Sequence, residues 1–199
     1  MADTPAMRGY FGIGVEGISK AMNLGNLMRS AHAFGASFFF TVDARRTLVR
    51  PKSDTSRTPE QVPLYNWTHV EAMQLPIGCS LVGVELTEDA IDLPSFGHPR
   101  RAAYVLGPER GSLSPEMLAQ CRHVIKIPTA FCINVATAGA IVMYDRLRAL
   151  GRHPERALHE GAPKIPVREH VHGRPRYRSQ RQDEIRMADF TGEAVPEAD

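Results

Sequence analysis

Three short polar islands stand where apolar runs end or helices begin, and their order along the chain constrains the fold more than any other feature. In Leu106-Gly107-Pro108-Glu109-Arg110-Gly111, an apolar run leads straight into a glycine-bracketed acidic turn. Upstream lies Asn23-Leu24-Gly25-Asn26-Leu27-Met28-Arg29-Ser30. Downstream, Ile127-Pro128 is followed by Cys132-Ile133-Asn134-Val135-Ala136. A chain that alternates strand and helix brings its strand ends to one side of a sheet, so three such islands imply one composite site.

The segments between the islands carry that alternation. Residues 10–15, 37–42, 80–86, 102–106 and 123–127 read as strands. Residues 18–34 read as a helix with Leu24, Leu27, Met28, Ala31 and Phe34 on one face, Asn26 and Arg29 off it, and Gly35 as its stop. Ser114-Pro115-Glu116 opens a second helix, with a serine cap and proline at the first helical position, running to Arg122. A last helix covers residues 134–150 and ends at Gly151. Residues 43–63 read as a polar loop, with a short helix near 67–73. The expected architecture is α/β: a mostly parallel sheet flanked by helices. Beyond Gly151, prolines and charges replace periodic apolar residues. Residues 1–151 are therefore read as the folded domain, and 152–199 as a basic, Pro-rich, largely irregular extension.

Composition narrows the function classes. A chain of 199 residues, 43% hydrophobic, can bury one real core. No apolar run approaches the ~18–20 residues of a membrane span, and the first residues lack the basic and apolar regions of a signal peptide. Cys79, Cys121 and Cys132 are scattered without C-x-x-C spacing, which indicates neither zinc nor a disulfide framework. His32, His69 and His98 are too dispersed for a metal site. The expected setting is the reducing cytoplasm, with no metal and no membrane. Residues 164–181 hold six bases against the single acid Glu169, a pattern that fits either a solvated tail or a tract following a phosphate backbone. The P-loop, the nucleophile elbow and H-E-x-x-H are absent, and Gly12-Ile13-Gly14 lies inside a strand rather than in a dinucleotide-binding turn.

Together the islands resemble the three signature motifs of the SpoU/TrmH family of RNA ribose 2′-O-methyltransferases, in the SPOUT superfamily. Asn23, Gly25, Arg29, Ser30, Ala31, Phe34 and Gly35 match N-x-G-x-x-x-R-[ST]-A followed by F-G. Residues 107–111 with Leu113-Ser114 match the G-P-E-x-x-G core. Ile127-Pro128-Thr129 and residues 132–136 are similar to I-P-M followed by S-L-N-V-S, with a shorter spacing, Cys132 at the first serine and Ala136 at the second. The likeness covers residues 8–150. It implies a C-terminal deep trefoil knot, a homodimer and S-adenosylmethionine as cofactor. It also implies a cofactor pocket from Leu86, Leu106, Gly107, Pro108, Gly111, Ile127, Pro128, Cys132 and Ile133, largely through their backbone. The catalytic set it implies is Arg29, Asn23, Glu109 and Asn134, with Glu109 and Asn134 organising the knotted loops. A guanidinium stays protonated in proteins. Arg29 is therefore expected to orient the ribose hydroxyl and stabilise developing alkoxide rather than take the proton. RNA is the expected partner, tRNA favoured over rRNA, with contacts from Arg45, Arg46, Arg174, Arg176 and Arg178.

Taken singly, each residue has an ordinary alternative. Arg29 fits a solvent arginine, Glu109 a capping acid, Asn23 and Asn134 helix caps, and Cys132 a small packed residue. The small residues Ala136, Ala138, Gly139 and Ala140 suit either core packing or a dimer contact. Two other functions stay open: a catalytically inactive RNA-binding dimer, and a nucleotide-binding α/β regulator of unknotted topology.

Overall fold

The computed structural model describes residues 9–44, 61–151, 153, 160 and 161. The chain divides into two units, Met1–His153 and Pro154–Asp199, and the fold below is that of the first. The expected RNA contacts Arg45, Arg46, Arg174, Arg176 and Arg178 lie outside the described residues, as does nearly all of the expected extension.

Seven strands are described: β1 (Tyr10–Glu16), β2 (Phe38–Val42), β3 (Leu64–Trp67), β4 (Ser80–Val84), β5 (Ile91–Asp92), β6 (Arg101–Leu106) and β7 (His123–Lys126). They form one sheet in the order β3-β2-β1-β6-β4-β7-β5, with every pairing parallel. The central strands β1, β2 and β6 are buried almost end to end. Parallel strands covered on both faces need such continuous apolar runs, which is why they were legible as runs rather than alternations. Helices α1 (Ala21–Ala33), α2 (Pro115–Gln120) and α3 (Val135–Leu150) complete the layers.

The sheet separates two cores. On one face α1 and α3 pack over Ile13, Val15, Phe39, Val82 and Tyr104. On the other, Phe38, Phe40, Leu81, Ala103 and Val105 meet Val70 and Met117 of α2. Gly12 and Gly14 make room for the phenylalanines: a Cβ at Gly12 would lie 2.2 Å from the Phe38 ring, and one at Gly14 2.3 Å from the Phe40 carbonyl oxygen. Gly139 plays the same part between helices, since a Cβ there would stand 2.2 Å from Leu27 Cδ1. Ala136, Ala138 and Gly139 are buried in α3, so this part of the small-residue face packs within the chain.

The structure departs from expectation mainly at the sheet edges. The expected helix near 67–73 is the strand β3 followed by a single 3-10 turn at Val70–Ala72. Neither β3 nor the two-residue β5 offers a run long enough to read from periodicity. Strand β4 stops two residues earlier than expected, at Val84. Among the described residues, no helix is long and apolar enough to cross a membrane.

Candidate functional site

Strands β6, β4 and β7 end side by side. The loops that leave them, together with the start of α1, enclose a cleft of about 430 Å³. Its apolar wall includes Val84, Leu106, Ile127, Ile133, Val135 and Ala138. Lys20, Asn23, Glu85, Glu109, Lys126, Thr129 and Asn134 add polar groups. The size and the mixture are those of a small-molecule site.

One chain of hydrogen bonds joins all three islands. Helix α1 begins at Lys20, which provides no side-chain cap. The Glu109 carboxylate, about 90 positions away, takes that role. Its Oε2 accepts from Ser19 N (3.1 Å) and Ser19 Oγ (2.9 Å), and its Oε1 accepts from Lys20 N (2.9 Å) and Asn23 Nδ2 (3.0 Å). A carboxylate there satisfies orphan N–H groups and faces the positive end of the helix dipole. Asn23 Oδ1 then accepts from Asn134 Nδ2 (3.0 Å), and Asn134 Oδ1 accepts from Ala136 N (2.9 Å), capping α3. Desolvation works to raise the Glu109 pKa, but the donors from its own backbone, Ser19 and Asn23 outweigh it and hold the carboxyl below the usual range.

Two further carboxylates brace the loop after β6. Glu16, buried at the end of β1, accepts from Ser114 N (2.8 Å) and Ser114 Oγ (2.6 Å), while Ser114 Oγ accepts from Met117 N (3.1 Å) to cap α2. Glu85 accepts from Leu86 N and Leu113 N, both at 2.8 Å. The loop folds back so tightly that a Cβ at Gly107 would lie 3.2 Å from Leu113 N, and Gly111 takes a φ of +114°.

Of the residues expected at a cofactor pocket, Leu86, Leu106, Gly107, Pro108, Gly111, Ile127, Cys132 and Ile133 line the cleft, and Pro128 does not. Asn23, Glu109 and Asn134 line it too. Arg29 does not: it is exposed on α1, with no hydrogen-bond partner among the described residues. It lies six residues past Asn23, ~9 Å further along the helix axis. The capping alternatives divide. Asn134 caps its own helix, Glu109 caps a remote one, and Asn23 sits inside α1 as the link between them. Cys132 is exposed on the cleft wall rather than packed, because its short loop runs along the surface before α3 begins. Sequence reasoning missed Lys20, Glu85, Lys126 and Thr129. Glu85 and Lys126 each directly precede a residue that was expected in the pocket, and a charged residue at a strand end was the available signal. Among the described residues, no group of three or more His, Cys, Asp or Glu could hold a metal ion.

The sequence profile of the SpoU rRNA Methylase family matches residues 11–144, a span that contains all three islands. The chain is 27% identical over 140 residues to the tRNA (guanosine(18)-2′-O)-methyltransferase TARBP1 of Mus musculus, covering 66% of this chain and 9% of that protein. The AdoMet-bound rRNA methyltransferase from Sinorhizobium meliloti has the same fold, with a TM-score of 0.64 at 22% identity over 73% of this chain and 58% of that one. AviRb from Streptomyces viridochromogenes, a SpoU methyltransferase solved in complex with AdoMet, gives 0.61 at 21% identity over 73% of this chain and 62% of that one. This chain thus spans less than two thirds of each of these relatives. The match nonetheless runs from β1 into the last turns of α3, and the chain belongs to the SpoU rRNA methylase family.

Proposed function

We propose that the protein transfers a methyl group from S-adenosylmethionine to a ribose 2′-hydroxyl of RNA, with tRNA the favoured substrate, and acts as a homodimer in the cytoplasm. The observation that carries this reading is the Glu109–Asn23–Asn134 chain, which gathers the three motifs around one cleft.

The cleft suits the cofactor on its own chemistry. Its volume fits a nucleoside-sized ligand, its apolar wall fits a flat base, and the charged groups Lys20, Lys126, Glu85 and Glu109 offer partners to both the amino and the carboxylate ends of a zwitterionic ligand. When bound, S-adenosylmethionine supplies an electrophilic methyl group on a positively charged sulfur. Leu86, Gly107, Ile127 and Ile133 would hold its adenosine, chiefly through main-chain groups. Asn23, Glu109 and Asn134 keep the two loops and the start of α1 in fixed relation, so little reorganisation is left for the moment of reaction. Alignment of the acceptor hydroxyl is worth at best ~7–11 kcal/mol. Arg29 stands outside the cleft of its own chain, and we assign it to a site completed across the dimer. There the guanidinium orients the hydroxyl and its phosphate and stabilises developing negative charge. We also infer that the loops after β6 and β7 form the family's deep trefoil knot, and that residues 152–199, with Arg45 and Arg46, contact the phosphate backbone. Such binding weakens steeply with salt. The likeness to TARBP1 favours tRNA.

A dimer that binds RNA without turning it over is the second reading, and the position of Arg29 outside the cleft favours it. Calorimetry with S-adenosylmethionine separates the two, because a dead binder need not keep cofactor affinity. The deciding experiment is mass spectrometry of nucleosides from the RNA of a deletion strain. Loss of one 2′-O-methyl nucleoside is expected. Loss of a base methylation would overturn the acceptor and keep the cofactor.

A further inference from the structure

Strand β3 is an edge of the sheet, and it carries the only tryptophan of the chain. On β3, Tyr65 and Trp67 point to one face and stack on each other, with ring centroids 5.8 Å apart and planes 7° from parallel. Phe38 meets the Tyr65 ring edge-on at 6.2 Å, and Phe40 lies 5.5 Å from Trp67. Between the two, Asn66 accepts from Thr41 Oγ1 (2.8 Å), which pins the strand to β2. The platform is therefore rigid, yet Tyr65 keeps 49% of its surface in water. Covering Phe38 and Phe40 needs only apolar bulk. A pair of parallel rings, Tyr65 half-exposed and Trp67 partly buried behind it, offers something more, a π-face that accepts any base.

Its place and its surroundings indicate the occupant. Trp67 pairs with Val42 and Val42 with Glu16, while the neighbouring Val15 pairs with Leu106 at the edge of the cleft. The platform thus stands at the same end of the sheet as the cleft, three strand spacings away, or ~14 Å. The sequence joining β2 to β3 carries five bases (Arg45, Arg46, Arg50, Lys52, Arg57) against three acids (Asp43, Asp54, Glu60). Bases carried so close in sequence to an exposed aromatic residue match a polyanion that bears flat bases. We propose that Tyr65 and Trp67 form a stacking platform for an unpaired nucleobase of the bound RNA, outside the methyl-transfer cleft. This rests on RNA being the substrate, as proposed above.

Because Trp67 is the sole tryptophan, its emission reports directly on the platform. The full-length protein is titrated with a short single-stranded oligoribonucleotide and with an abasic strand of the same length, and S-adenosylmethionine binding is measured in parallel. Quenching by the base-bearing strand alone is expected. Tyr65→Phe should bind RNA as the parent does. Tyr65→Leu, which still covers Phe38, should bind about tenfold more weakly with cofactor affinity and melting temperature unchanged. Equal quenching by both strands, RNA binding without any change in emission, or parent-like affinity in Tyr65→Leu would each overturn the platform. Dissociation of a dimer by Tyr65→Leu would reassign the pair to self-association and overturn it as well. A parent protein that binds no RNA removes the platform together with the RNA reading. One that binds RNA but not S-adenosylmethionine strikes the methyl-transfer reading alone.

Discussion

Strand β6 runs between two polar clusters that use similar groups to opposite ends. At its carboxyl end, Glu109, Asn23 and Asn134 bind one another and the starts of two helices, and their surroundings open into a cleft. At its amino end the cluster is closed. Arg146 of α3, only 1% exposed, donates from Nη1 to Pro99 O (2.6 Å) and Tyr104 Oη (3.1 Å), and from Nη2 to Arg100 O (2.9 Å) and Tyr10 O (3.2 Å). Its guanidinium carbon lies 5.3 Å from the centre of the Phe11 ring. The Tyr104 hydroxyl, having accepted from Arg146, donates on to His98 Nδ1 (2.6 Å), and His98 Nε2 then donates to Asp145 (3.0 Å). Apart from Arg146 Nε, which has no partner among the described residues, this second cluster is consumed in fastening α3 to the starts of β1 and β6. A polar network becomes a lock when its donors and acceptors face chiefly inward, and a site when it holds loops whose other surfaces remain free.

The contrast breaks most visibly at Arg146. Arg146→Met keeps the apolar stem and strips donors from the carbonyl oxygens of Tyr10, Pro99 and Arg100 and from the Tyr104 hydroxyl; Arg100 O keeps its bond from Tyr10 N, and a buried acceptor left unpaired costs about 1–3 kcal/mol. A loss of about 3 kcal/mol or more is expected in chemical denaturation, with S-adenosylmethionine affinity unchanged in the molecules that stay folded. A loss below about 1 kcal/mol would mean that the amino-end cluster is not a lock. Glu109→Gln should do less to stability and more to binding. The amide turns an NH2 toward donors that the carboxylate accepts, at a cost of about 2 kcal/mol. The loosened loop should bind S-adenosylmethionine roughly tenfold more weakly. If Glu109→Gln lowered stability and left affinity intact, the carboxylate would be a helix cap and nothing more.

Acid should separate the two ends by order of failure. Burial pushes the His98 pKa below its ordinary 6.5, although the hydrogen bond with Asp145 pulls the other way. The folded state therefore favours the neutral ring. Its contribution is complete above pH 6.5 and is lost as pH falls from there toward the lower folded value. Glu109, held below 4.5, contributes fully above 4.5 and loses that contribution as pH falls through its own depressed value. Denaturant midpoints should fall first below pH 6.5 through His98, a decline that His98→Gln removes. Cofactor affinity should hold until the carboxylate range. Affinity and midpoint declining together in the parent would couple ends that the structure keeps apart.

How much of this was legible in the chain follows from where each signal resides. Strands β1, β2, β4, β6 and β7 announce themselves because central parallel strands must be continuously apolar. Strand β3 alternates Leu64-Tyr65-Asn66-Trp67 over four residues, too few to establish a period, and β5 has two. The Gly107-Pro108-Glu109 turn was visible because those residue types specify a backbone shape. That Glu109 would cap α1 was not, since nothing local ties it to Ser19 and Lys20 about 90 positions earlier. Arg146 is the harder case: in the last part of a helix it has the sequence character of a surface arginine, and only the fold encloses it. Arg29 shows the reverse. Its motif gives the residue an expected role, yet its own chain leaves it in solvent outside the cleft.

The smallest expected effect uses the cysteines, which fall on both ends of the sheet. Burial and the nearby Glu16 carboxylate push the Cys121 thiol up to about 12, and burial raises Cys79, so both are poor nucleophiles near neutrality. Cys132 is exposed on the cleft wall. Iodoacetamide should therefore label Cys132 first, and S-adenosylmethionine should slow that labelling by a few-fold, as read by mass spectrometry. Cys79, just before β4 at the amino end, serves as the control and should react at the same slow rate with or without the ligand. Protection of Cys132 alone would place the short loop before α3 against the bound ligand. Equal protection of both thiols would report a general tightening of the fold, and no protection of either would put that loop outside the site.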